Sequence, residues 1–252
     1  MSGAVYPSLK NRLVVVTGGG SGIGAALTEG FARQGARVVF LDVADADSRA
    51  LEARLSSLAP APVYQHCDLT DIARLKACLA EIVNAHGPIE VLVNNAANDD
   101  RHTLTEVTPE YWDDRIAVNL RHLYFAAQAV APAMRAKGTG VILNLGSISW
   151  HLGLPDLSLY ETAKAGIEGM TRALARELGV DGVRVACIVP GNVKTPRQMK
   201  WYTPEGEAEI VAAQCLKGRI EPRDVAALAM FLASDDARFI TGHEYFVDAG
   251  WR

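Results

Sequence analysis

Two residues in this chain have the types and the spacing that a proton transfer needs. Tyr160 and Lys164 lie four positions apart in a segment with helical periodicity, so both side chains project from one face of a helix. An ammonium group beside a phenol stabilises the phenolate and lowers the pKa of the phenol, which lets a tyrosine act as a base near neutral pH. Taken alone, such a pair is more often two neighbours on a protein surface.

A glycine-rich segment, residues 17–24, follows the apolar run 13–16 and begins a helical pattern. Three glycines of a dinucleotide-binding loop have separate tasks: a tight turn, close approach of the backbone to a pyrophosphate, and close packing of helix on sheet. Gly18, Gly22 and Gly24 are the predicted glycines. The free amides of the helix that follows would then face the anion.

Ser21 and Ile23 lie beside these glycines and complete the predicted pyrophosphate contact. A phosphate-binding loop of nucleotide hydrolases is the rival interpretation, and it requires Lys and then Ser or Thr after its last glycine. Ala25 and Ala26 stand there instead, which disfavours the rival. A glycine-rich turn without a ligand is the remaining alternative.

Three polar residues end or follow predicted strands at one edge of the sheet. Asp42 ends the second strand, where a carboxylate accepts both adenosine ribose hydroxyls and repels a 2′-phosphate, so NAD is favoured over NADP. Asp68 and Asn94 come at the ends of the third and fourth strands, and we predict that they reach the adenine and its ribose. For Asp68 the alternative is capping of a helix that begins near Thr70.

Two further polar residues complete a candidate catalytic set with Tyr160 and Lys164. Ser147 follows the fifth predicted strand, thirteen residues before the tyrosine. Asn119 interrupts an apolar helical stretch, and a buried amide costs free energy unless it is hydrogen-bonded. We therefore expect Asn119 to hold a backbone group or a water.

Short β-branched runs alternate with helical patterns, and these elements must position the residues above. The predicted strands are residues 13–17, 37–42, 63–67, 91–94, 141–145, 183–189 and 245–248. The predicted helices are residues 22–34, 46–58, 71–86, 109–137, 157–178 and 222–233. The strands are continuously apolar, as in a sheet covered on both faces. We expect an α/β fold: a Rossmann-type, doubly wound parallel sheet of about seven strands with helices on both faces.

The chain length and the regular alternation of strands and helices predict one domain. With 252 residues the chain can bury a large core, and we expect residues 1–252 to form a single dinucleotide-binding catalytic domain. Residues 195–217 break the alternation of strands and helices after the sixth strand. Segments that cover a substrate tend to lie at such positions, so we predict an irregular, substrate-covering insertion there.

Composition excludes several classes of partner. Hydrophobic residues make up 49% and charged residues 21%, and a net charge of −4 gives no reason to expect nucleic acid. The four cysteines lack disulfide-framework or metal-ligand spacing, so we expect reduced thiols and no metal. Without a signal segment or a bilayer-spanning apolar run, the chain is expected to be cytoplasmic, with no membrane partner.

In combination, these motifs resemble the short-chain dehydrogenase/reductase family over essentially the whole chain. The matching positions are residues 17–24, Asp68, Asn94, Asn95, Ala96, Asn119, Ser147, Tyr160, Lys164, Pro190, Gly191 and Thr195. The resemblance implies that Tyr160 is the general acid/base, that Lys164 also holds the nicotinamide ribose, and that Ser147 orients the reacting oxygen. It implies as well that Asn119 supports a water that relays protons.

The same likeness implies two more contacts and contains one departure. Val193 and Thr195 are expected to contact the nicotinamide amide. Ala97 stands where the family usually has Gly, a difference of one methyl group that affects how closely this loop approaches the cofactor.

The loops around the expected cleft resemble, more narrowly, those of bacterial aldose 1-dehydrogenases. The segments that carry this likeness are residues 98–102, 147–153, 191–195, 201–206 and 248–252. It implies NAD-linked oxidation of the anomeric carbon of an aldose, with D-xylose the first expectation, to an aldonolactone. A sugar needs paired hydrogen-bond donors and acceptors and an aromatic surface, whereas a lipid needs an apolar lining. The predicted substrate residues are Asn98, Ser147, Ser149, Trp150, His151, Tyr160, Asn192, Gln198 and Trp201.

Alternatives remain for single residues and for the function as a whole. Trp150 and Trp201 can pack a loop, His151 can cap a helix, and residues 99–101 can be solvated. The rival functions are oxidation of another sugar or sugar acid, reduction of a 3-oxoacyl thioester, and a non-catalytic dinucleotide sensor. A sugar-nucleotide epimerase or dehydratase is disfavoured because few residues follow the last helix. The family resemblance also implies a homotetramer packed through helices 109–137 and 157–178.

Overall fold

A single parallel sheet runs through the molecule. The computed structural model describes residues 3–200 and 202–251, and within them seven strands have the order β3-β2-β1-β4-β5-β6-β7. Every neighbouring pair in this order is parallel. The strands are β1 (Leu13–Thr17), β2 (Arg37–Asp42), β3 (Val63–His66), β4 (Val91–Asn94), β5 (Gly140–Leu145), β6 (Val183–Pro190) and β7 (Glu244–Val247). The predicted doubly wound α/β fold is confirmed.

Helices cover both faces of this sheet. They are α1 (Gly22–Arg33), α2 (Asp45–Leu55), α3 (Ile72–His86), α4 (Pro109–Ile116), α5 (His122–Lys137), α6 (Ser149–Leu152), α7 (Ser158–Leu178), α8 (Pro204–Ala213) and α9 (Pro222–Ala233). Alternate residues of β1 show the arrangement, because Val14 and Val16 pack with α1, α2 and α9, whereas Leu13 and Val15 pack with α3, α5 and α7. Each strand is thus buried from both sides, which explains its continuous apolar character.

The predicted helix 109–137 is wrong in its middle. A π-helical turn, Ala117–Arg121, separates α4 from α5. Such turns insert an extra residue into a helix, and they occur often at functional sites. Here the turn contains Asn119, which is fully buried. Helix α4 has no buried residue, whereas α5 has several, so the two helices meet the rest of the protein in different ways.

Two short elements were not predicted. Residues 195–217 contain α8, so this segment is less irregular than expected. Thr203 is its N-cap, accepting a hydrogen bond from the Gly206 amide at 3.2 Å, and Pro204 occupies its first turn. The four-residue α6 follows β5 directly. Helix α2 ends at Leu55, three residues earlier than predicted, and the other elements agree within one or two residues.

The cysteines and the character of the helices complete the description of the fold. All four cysteines carry free thiols, and three of them are buried. Within the described ranges, no helix combines the length and the apolar character needed to cross a membrane.

Candidate active site

A cleft of about 650 Å³ lies at the carboxyl ends of the strands, where β1 and β4 lead in opposite directions along the sheet. The loops that follow β1 to β6 line it. The predicted site residues among the lining are Gly18, Ser21, Gly22, Ile23, Gly24, Asp42, Asp68, Asn98, Ser147, Ser149, Tyr160, Lys164, Asn192, Val193, Thr195 and Gln198. Asn94, Asn119, Trp150 and His151 are not among the lining residues, and Trp201 lies outside the described residues.

The glycine loop between β1 and α1 depends on close backbone contact. A Cβ atom at Gly24 would lie 1.8 Å from the Gly18 carbonyl oxygen, and one at Gly18 would lie 2.8 Å from the Cα of Ala96. Gly18 also has a φ of +61°, in the left-handed region that favours glycine. Asn95 fastens the turn by donating from Nδ2 to the carbonyls of Thr17 (3.0 Å) and Gly18 (2.9 Å). A larger residue does not fit at either glycine without displacing this loop.

The amino end of α1 is arranged to receive an anion. Its N-cap, Ser21, makes no side-chain cap hydrogen bond, and the first turn contains no acidic residue. Free backbone amides and the positive end of the helix dipole are therefore directed at the cleft. Gly22 has a φ of +52°, and a Cβ there would come within 3.4 Å of Thr195 Cγ2. These features fit the pyrophosphate of a dinucleotide, which Ser21, Gly22 and Ile23 would hold.

Asp42 presents a carboxylate at the end of the cleft beside β2. Its Oδ2 accepts a hydrogen bond from the Gly20 amide at 2.9 Å, and its Oδ1 accepts from the amides of Val43 (2.8 Å) and Ala44 (3.0 Å). These bonds hold the carboxylate in place, and about four acceptor positions on its two oxygens leave capacity for another donor. Asp47 lines the same end of the cleft.

Asp68 lines the cleft after β3, and its carboxylate fastens the turn that leads to α3. Its Oδ1 accepts hydrogen bonds from the Thr70 amide at 2.9 Å and from the Thr70 hydroxyl at 2.7 Å. Helix α3 is capped instead by Asp71, whose Oδ1 accepts from the Arg74 amide at 3.0 Å. The alternative interpretation of Asp68 as the helix cap is therefore wrong.

The Asn94 side chain is turned into the sheet and away from the cleft. It is 1% exposed, and its Nδ2 donates to Asn144 Oδ1 at 2.9 Å. Asn144 in turn donates to the Thr171 hydroxyl at 2.9 Å. This placement corrects the prediction that the Asn94 side chain reaches the adenosine. The next residue, Asn95, lines the cleft instead.

Tyr160 and Lys164 lie on one face of α7, and the loop after β5 brings Ser147 to them. The Lys164 ammonium is 5.3 Å from the centroid of the Tyr160 ring and donates to the Leu145 carbonyl at 2.7 Å. The Ser147 hydroxyl is near enough to the phenol to lower its pKa. Ser147 Oγ also lies 2.9 Å from Ser149 Oγ and accepts from the Ser149 amide at 3.2 Å. A phenol, a hydroxyl and an ammonium thus share one part of the cleft.

Burial sets the direction of both pKa shifts in this group. Loss of solvent raises the pKa of Tyr160, and Asp99 raises it further, while Ser147 and Arg197 act in the opposite direction. Burial also lowers the pKa of Lys164, which is 2% exposed, to about 8. The net shift of the Tyr160 pKa is upward in this structure, because desolvation outweighs the groups that lower it. The expected lowering of the phenol pKa by Lys164 stays a prediction.

Asn119 lies beneath the cleft and holds the loop after β4. Its Oδ1 accepts a hydrogen bond from the Asn98 amide at 2.8 Å, and its Nδ2 donates to the Asn98 carbonyl at 2.9 Å. The side chain therefore binds a backbone group, the first of the two partners expected for it. Both of its bonds fix the backbone of a residue that lines the cleft.

Trp150 and His151 point away from the cleft. Helix α6 has one turn, and its Ser149 and Leu152 line the cleft while the two intervening residues face α7. There Glu168, which is 7% exposed, accepts a hydrogen bond from Trp150 Nε1 at 2.8 Å, and His151 Nε2 lies 3.0 Å from the same oxygen. The predicted substrate contacts of Trp150 and His151 are corrected by this geometry. These residues secure the segment that carries Ser147.

The other end of the cleft is bridged by polar side chains from two loops. Gln198 Nε2 donates to Asp99 Oδ2 at 2.9 Å. One nitrogen of Arg197 lies 2.8 Å from Asn98 Oδ1 and 3.0 Å from both Asp99 Oδ1 and Asp100 Oδ1. The loop after β4 and the segment after β6 are thus joined across the mouth of the cleft.

A second polar network fixes the wall formed by Asn192. Its Nδ2 donates to the Tyr202 hydroxyl at 2.6 Å, and its Oδ1 accepts from Arg219 at 2.8 Å. Arg219 also pairs with Glu207 on α8 and lies 5.7 Å from the centroid of the Tyr202 ring. The network connects the lining residue Asn192 to the helix of the 195–217 segment.

Several lining residues were missed from the sequence. Asp99, Arg197, Tyr202 and Trp251 line the cleft, and they were not included among the predicted contacts. The two consecutive aspartates after β4 and the arginine beside Gln198 were a usable signal. Charges of opposite sign on loops that follow strand ends at one edge of a sheet can meet across the cleft.

In sequence, this chain is similar to known reductases and sugar dehydrogenases. A family model described as enoyl-(acyl carrier protein) reductase matches residues 18–252. The chain is 69% identical over 252 residues to D-xylose 1-dehydrogenase of Caulobacter vibrioides, covering 100% of both chains. It is 47% identical over 247 residues to a probable galactose dehydrogenase of Rhizobium meliloti, covering 97% of this chain and 96% of the relative.

More distant matches share the fold and the chain length. A 3-oxoacyl-[acyl-carrier-protein] reductase of Thermotoga maritima is 34% identical over 244 residues, which cover 96% of this chain and 98% of the relative. The crystal structure of a protein called gox2181 superposes with a TM-score of 0.89 at 27% identity. The superposition covers 97% of this chain and 98% of the solved one.

Proposed function

This chain belongs to the short-chain dehydrogenase/reductase family, and from that premise we propose that it is an NAD-dependent aldose 1-dehydrogenase that oxidises D-xylose at the anomeric carbon to the aldonolactone. Membership makes the protein an oxidoreductase that acts on CH–OH groups with a nicotinamide cofactor. The sugar, the choice of NAD and the lactone product are the parts that we propose.

The main support for D-xylose as the substrate is the 69% identity, over the full length of both chains, to a D-xylose 1-dehydrogenase. The lining of the cleft supports it. Its walls include polar side chains, among them Asn98, Asn192 and Gln198, beside apolar residues such as Leu152 and Leu154. The polar groups offer the paired donors and acceptors that a sugar needs.

The proposed chemistry assigns one task to each polar group. When bound, the oxidised nicotinamide supplies the hydride acceptor and a positive charge that favours the phenolate form of Tyr160. Tyr160 takes the proton from the anomeric hydroxyl, and Ser147 holds the oxygen that loses it. Lys164 holds the cofactor ribose and adds positive charge beside the phenol. Loss of this proton, and of the hydride on C1 to the hydride acceptor, would turn the C1–O bond into the carbonyl of the lactone.

Asn119 acts through the loop that it holds. Because both of its hydrogen bonds go to the Asn98 backbone, it fixes the cleft wall after β4. We propose that it also supports a proton-relay water beneath Tyr160, as the family resemblance implies. Val193 and Thr195, which line the cleft after β6, are proposed to contact the nicotinamide amide.

NAD is proposed over NADP because the adenosine end of the cleft is acidic. Asp42 and Asp47 line that end together with Val43. A 2′-phosphate placed there would meet carboxylates instead of the arginine or lysine that usually neutralises it. Asp68 is proposed to reach the adenine from the loop after β3.

The assembly is also a proposal. We propose one catalytic domain over residues 1–252, with residues 195–217 covering the substrate, and a homotetramer that packs through α5 and α7. A surface cavity of about 450 Å³ between these helices supports the interface, and Tyr124, Pro132 and Leu174 are part of its lining. Light scattering after size exclusion would show a fourfold mass, and a monomer at working concentration would contradict the assembly.

A sugar panel tests the proposed function. NADH formation is measured with D-xylose, L-arabinose, D-galactose and L-fucose, with NAD and NADP in parallel, and a 3-oxoacyl thioester is tested with NADH and with NADPH. We expect the highest kcat/KM for D-xylose with NAD, at least about tenfold above NADP. Reduction of the thioester without oxidation of any sugar would overturn the proposal.

A further inference from the structure

One carboxylate beside Tyr160 has no part in the chemistry assigned so far. Asp99 lies in the loop after β4 and lines the cleft. Its Oδ2 accepts a hydrogen bond from Gln198 at 2.9 Å, and its Oδ1 pairs with Arg197 at 3.0 Å. Its side chain keeps 32% of its exposure, so it is held in place and still faces open space.

The charge of Asp99 reaches the catalytic residues. It raises the pKa of Tyr160 and, in the same direction, that of Lys164, whereas Arg197 lowers the pKa of the phenol. Ser147, from the loop after β5, also lowers the pKa of the phenol, and the Lys164 ammonium lies 5.3 Å from the centroid of the phenol ring. Asp99 thus lines the same cleft as Tyr160 and Lys164, at the wall that it shares with Gln198.

The carboxylate retains free acceptor positions. An ionised carboxylate is an acceptor only, with about four lone-pair directions, and Gln198 and Arg197 occupy two of them. Hydroxyl groups of a sugar are donors that suit the others, and such charge-assisted bonds are stronger than neutral ones. A substrate with its own carboxylate or phosphate would instead meet a like charge.

The nitrogen of Arg197 that pairs with Asp99 is already shared, because it is also within 3.0 Å of both Asn98 and Asp100. Three other cations line the same cleft: Arg101, which donates to the Pro155 carbonyl at 3.3 Å, Lys164, which donates to the Leu145 carbonyl at 2.7 Å, and Lys200.

We propose that Asp99 is a specificity-determining residue, which accepts hydrogen bonds from the non-reacting hydroxyls of an uncharged sugar and excludes sugars that carry a carboxylate or phosphate. The inference rests on the proposed function and extends it. Arg197 and Gln198 are positioning residues, since they hold the carboxylate in one orientation from the opposite wall.

The neighbouring aspartate provides a matched control. Asp100 also pairs with Arg197, at the same 3.0 Å, and a change of either aspartate to Asn removes one negative charge. Asp100 does not line the cleft, and its other oxygen pairs with Arg115 at 2.9 Å. The substitutions D99N and D100N therefore differ mainly in whether the lost charge faces the substrate.

The first measurement is steady-state oxidation of D-xylose by wild type, D99N and D100N, with competition by D-galactose and by D-galacturonate, which differ at C6 alone. We expect D99N to lose at least about tenfold in kcat/KM for D-xylose, mainly through KM. The ratio of the inhibition constants of D-galacturonate and D-galactose should fall at least about tenfold in D99N. D100N should stay within about threefold of wild type on both counts.

The second measurement is the pH profile of kcat/KM, which a purely structural role would not move. Loss of the Asp99 charge removes an effect that raises the phenol pKa, so the acid limb should move to lower pH by about half a unit or more in D99N. Arg197→Met should move it to higher pH, because Arg197 lowers that pKa. D100N should leave the limb in place.

The outcomes separate the two proposals. If wild type oxidises no aldose with NAD, the proposed function fails. If wild type oxidises D-xylose and D99N behaves like D100N in KM, charge discrimination and pH profile, this inference alone is overturned. NADH binding and the melting temperature of D99N show whether this variant has a folding defect. If it has one, Arg197→Met still tests the charge assignment, because an acid limb that moves to lower pH in Arg197→Met would contradict it.

Discussion

The two halves of the cleft are built in different ways. In the cofactor half, the loop after β1 fits through backbone contacts so close that a Cβ at Gly24 would lie 1.8 Å from a carbonyl oxygen. In the substrate half, walls are joined by side-chain hydrogen bonds between segments 99 residues apart, as in Gln198 with Asp99 and Arg197 with Asn98. Close backbone contact restricts which residue types fit, so it can be recognised in the sequence. Side-chain hydrogen bonds between distant loops are much harder to recognise there.

Tyr160→Phe should have the largest effect, because it removes the proton acceptor shared by both halves. We expect kcat to fall by about 10² to 10⁴ or more while NADH binding is retained, since the ring stays in place. Steady-state turnover of D-xylose measures kcat, and a fluorescence titration measures NADH binding.

Tyr202→Phe is the matched control for that variant. It removes a second phenol of the same cleft, one that is bonded to Asn192 and has no part in the proposed proton transfer. We expect its kcat to change by less than about tenfold. Near-normal turnover of Tyr160→Phe would disprove the assigned role.

Asp42→Ala tests the electrostatic part of the cofactor half. Removal of the carboxylate should weaken NAD binding and reduce the preference for NAD over NADP by roughly 10-fold to 100-fold, because the repulsion of a 2′-phosphate is lost. The ratio of kcat/KM for the two cofactors is the readout. A ratio equal to that of wild type would discredit the ribose contact.

Gly24→Ala tests the backbone fit of the same half. The added Cβ collides with the Gly18 carbonyl, so the loop must shift, and we expect a loss of about 1–3 kcal/mol in unfolding free energy. NADH affinity should fall by about tenfold because the amides of α1 are displaced. Denaturant unfolding and NADH titration provide these values.

Gly169→Ala is the control for the added methyl group. Gly169 lies on α7 with no atom within 4 Å of its Cβ position. There alanine should stabilise the helix by up to about 1 kcal/mol and leave NADH affinity unchanged. Equal behaviour of the two variants would mean that backbone fit does not shape the cofactor half.

Trp150→Phe should have the smallest effect on activity. It removes the hydrogen bond to Glu168 and keeps an aromatic ring, so we expect about 1 kcal/mol less unfolding free energy and a KM for D-xylose within about twofold of wild type. A tenfold rise in KM with unchanged stability would instead support the substrate contact that was predicted for Trp150 from the sequence.

The same contrast explains which features could be predicted. The seven parallel strands, the helices on both faces and the three glycines follow from periodicity and from steric demands that few residues meet. Asp42 follows from its place at a strand end. The position of Asp68 beside the cleft follows in the same way.

Other features depend on neighbours that the sequence does not reveal. Whether Asn94 faces the cleft or the sheet is decided by Asn144, a residue on the next strand. Trp150 and His151 turn from the cleft because Glu168 on α7 binds both. The raised pKa of Tyr160 depends on the burial of the folded site, which the spacing of Tyr160 and Lys164 in the sequence does not show.

The most direct test of the central claim uses D-xylose labelled with deuterium at C1. The protein is incubated with this sugar and NAD, and the reduced cofactor and the sugar product are analysed by mass spectrometry. We expect deuterium in the NADH, xylonolactone as the first product, and slower turnover than with unlabelled sugar. Unlabelled NADH, or label retained in an oxidised sugar, would contradict removal of hydride from the anomeric carbon.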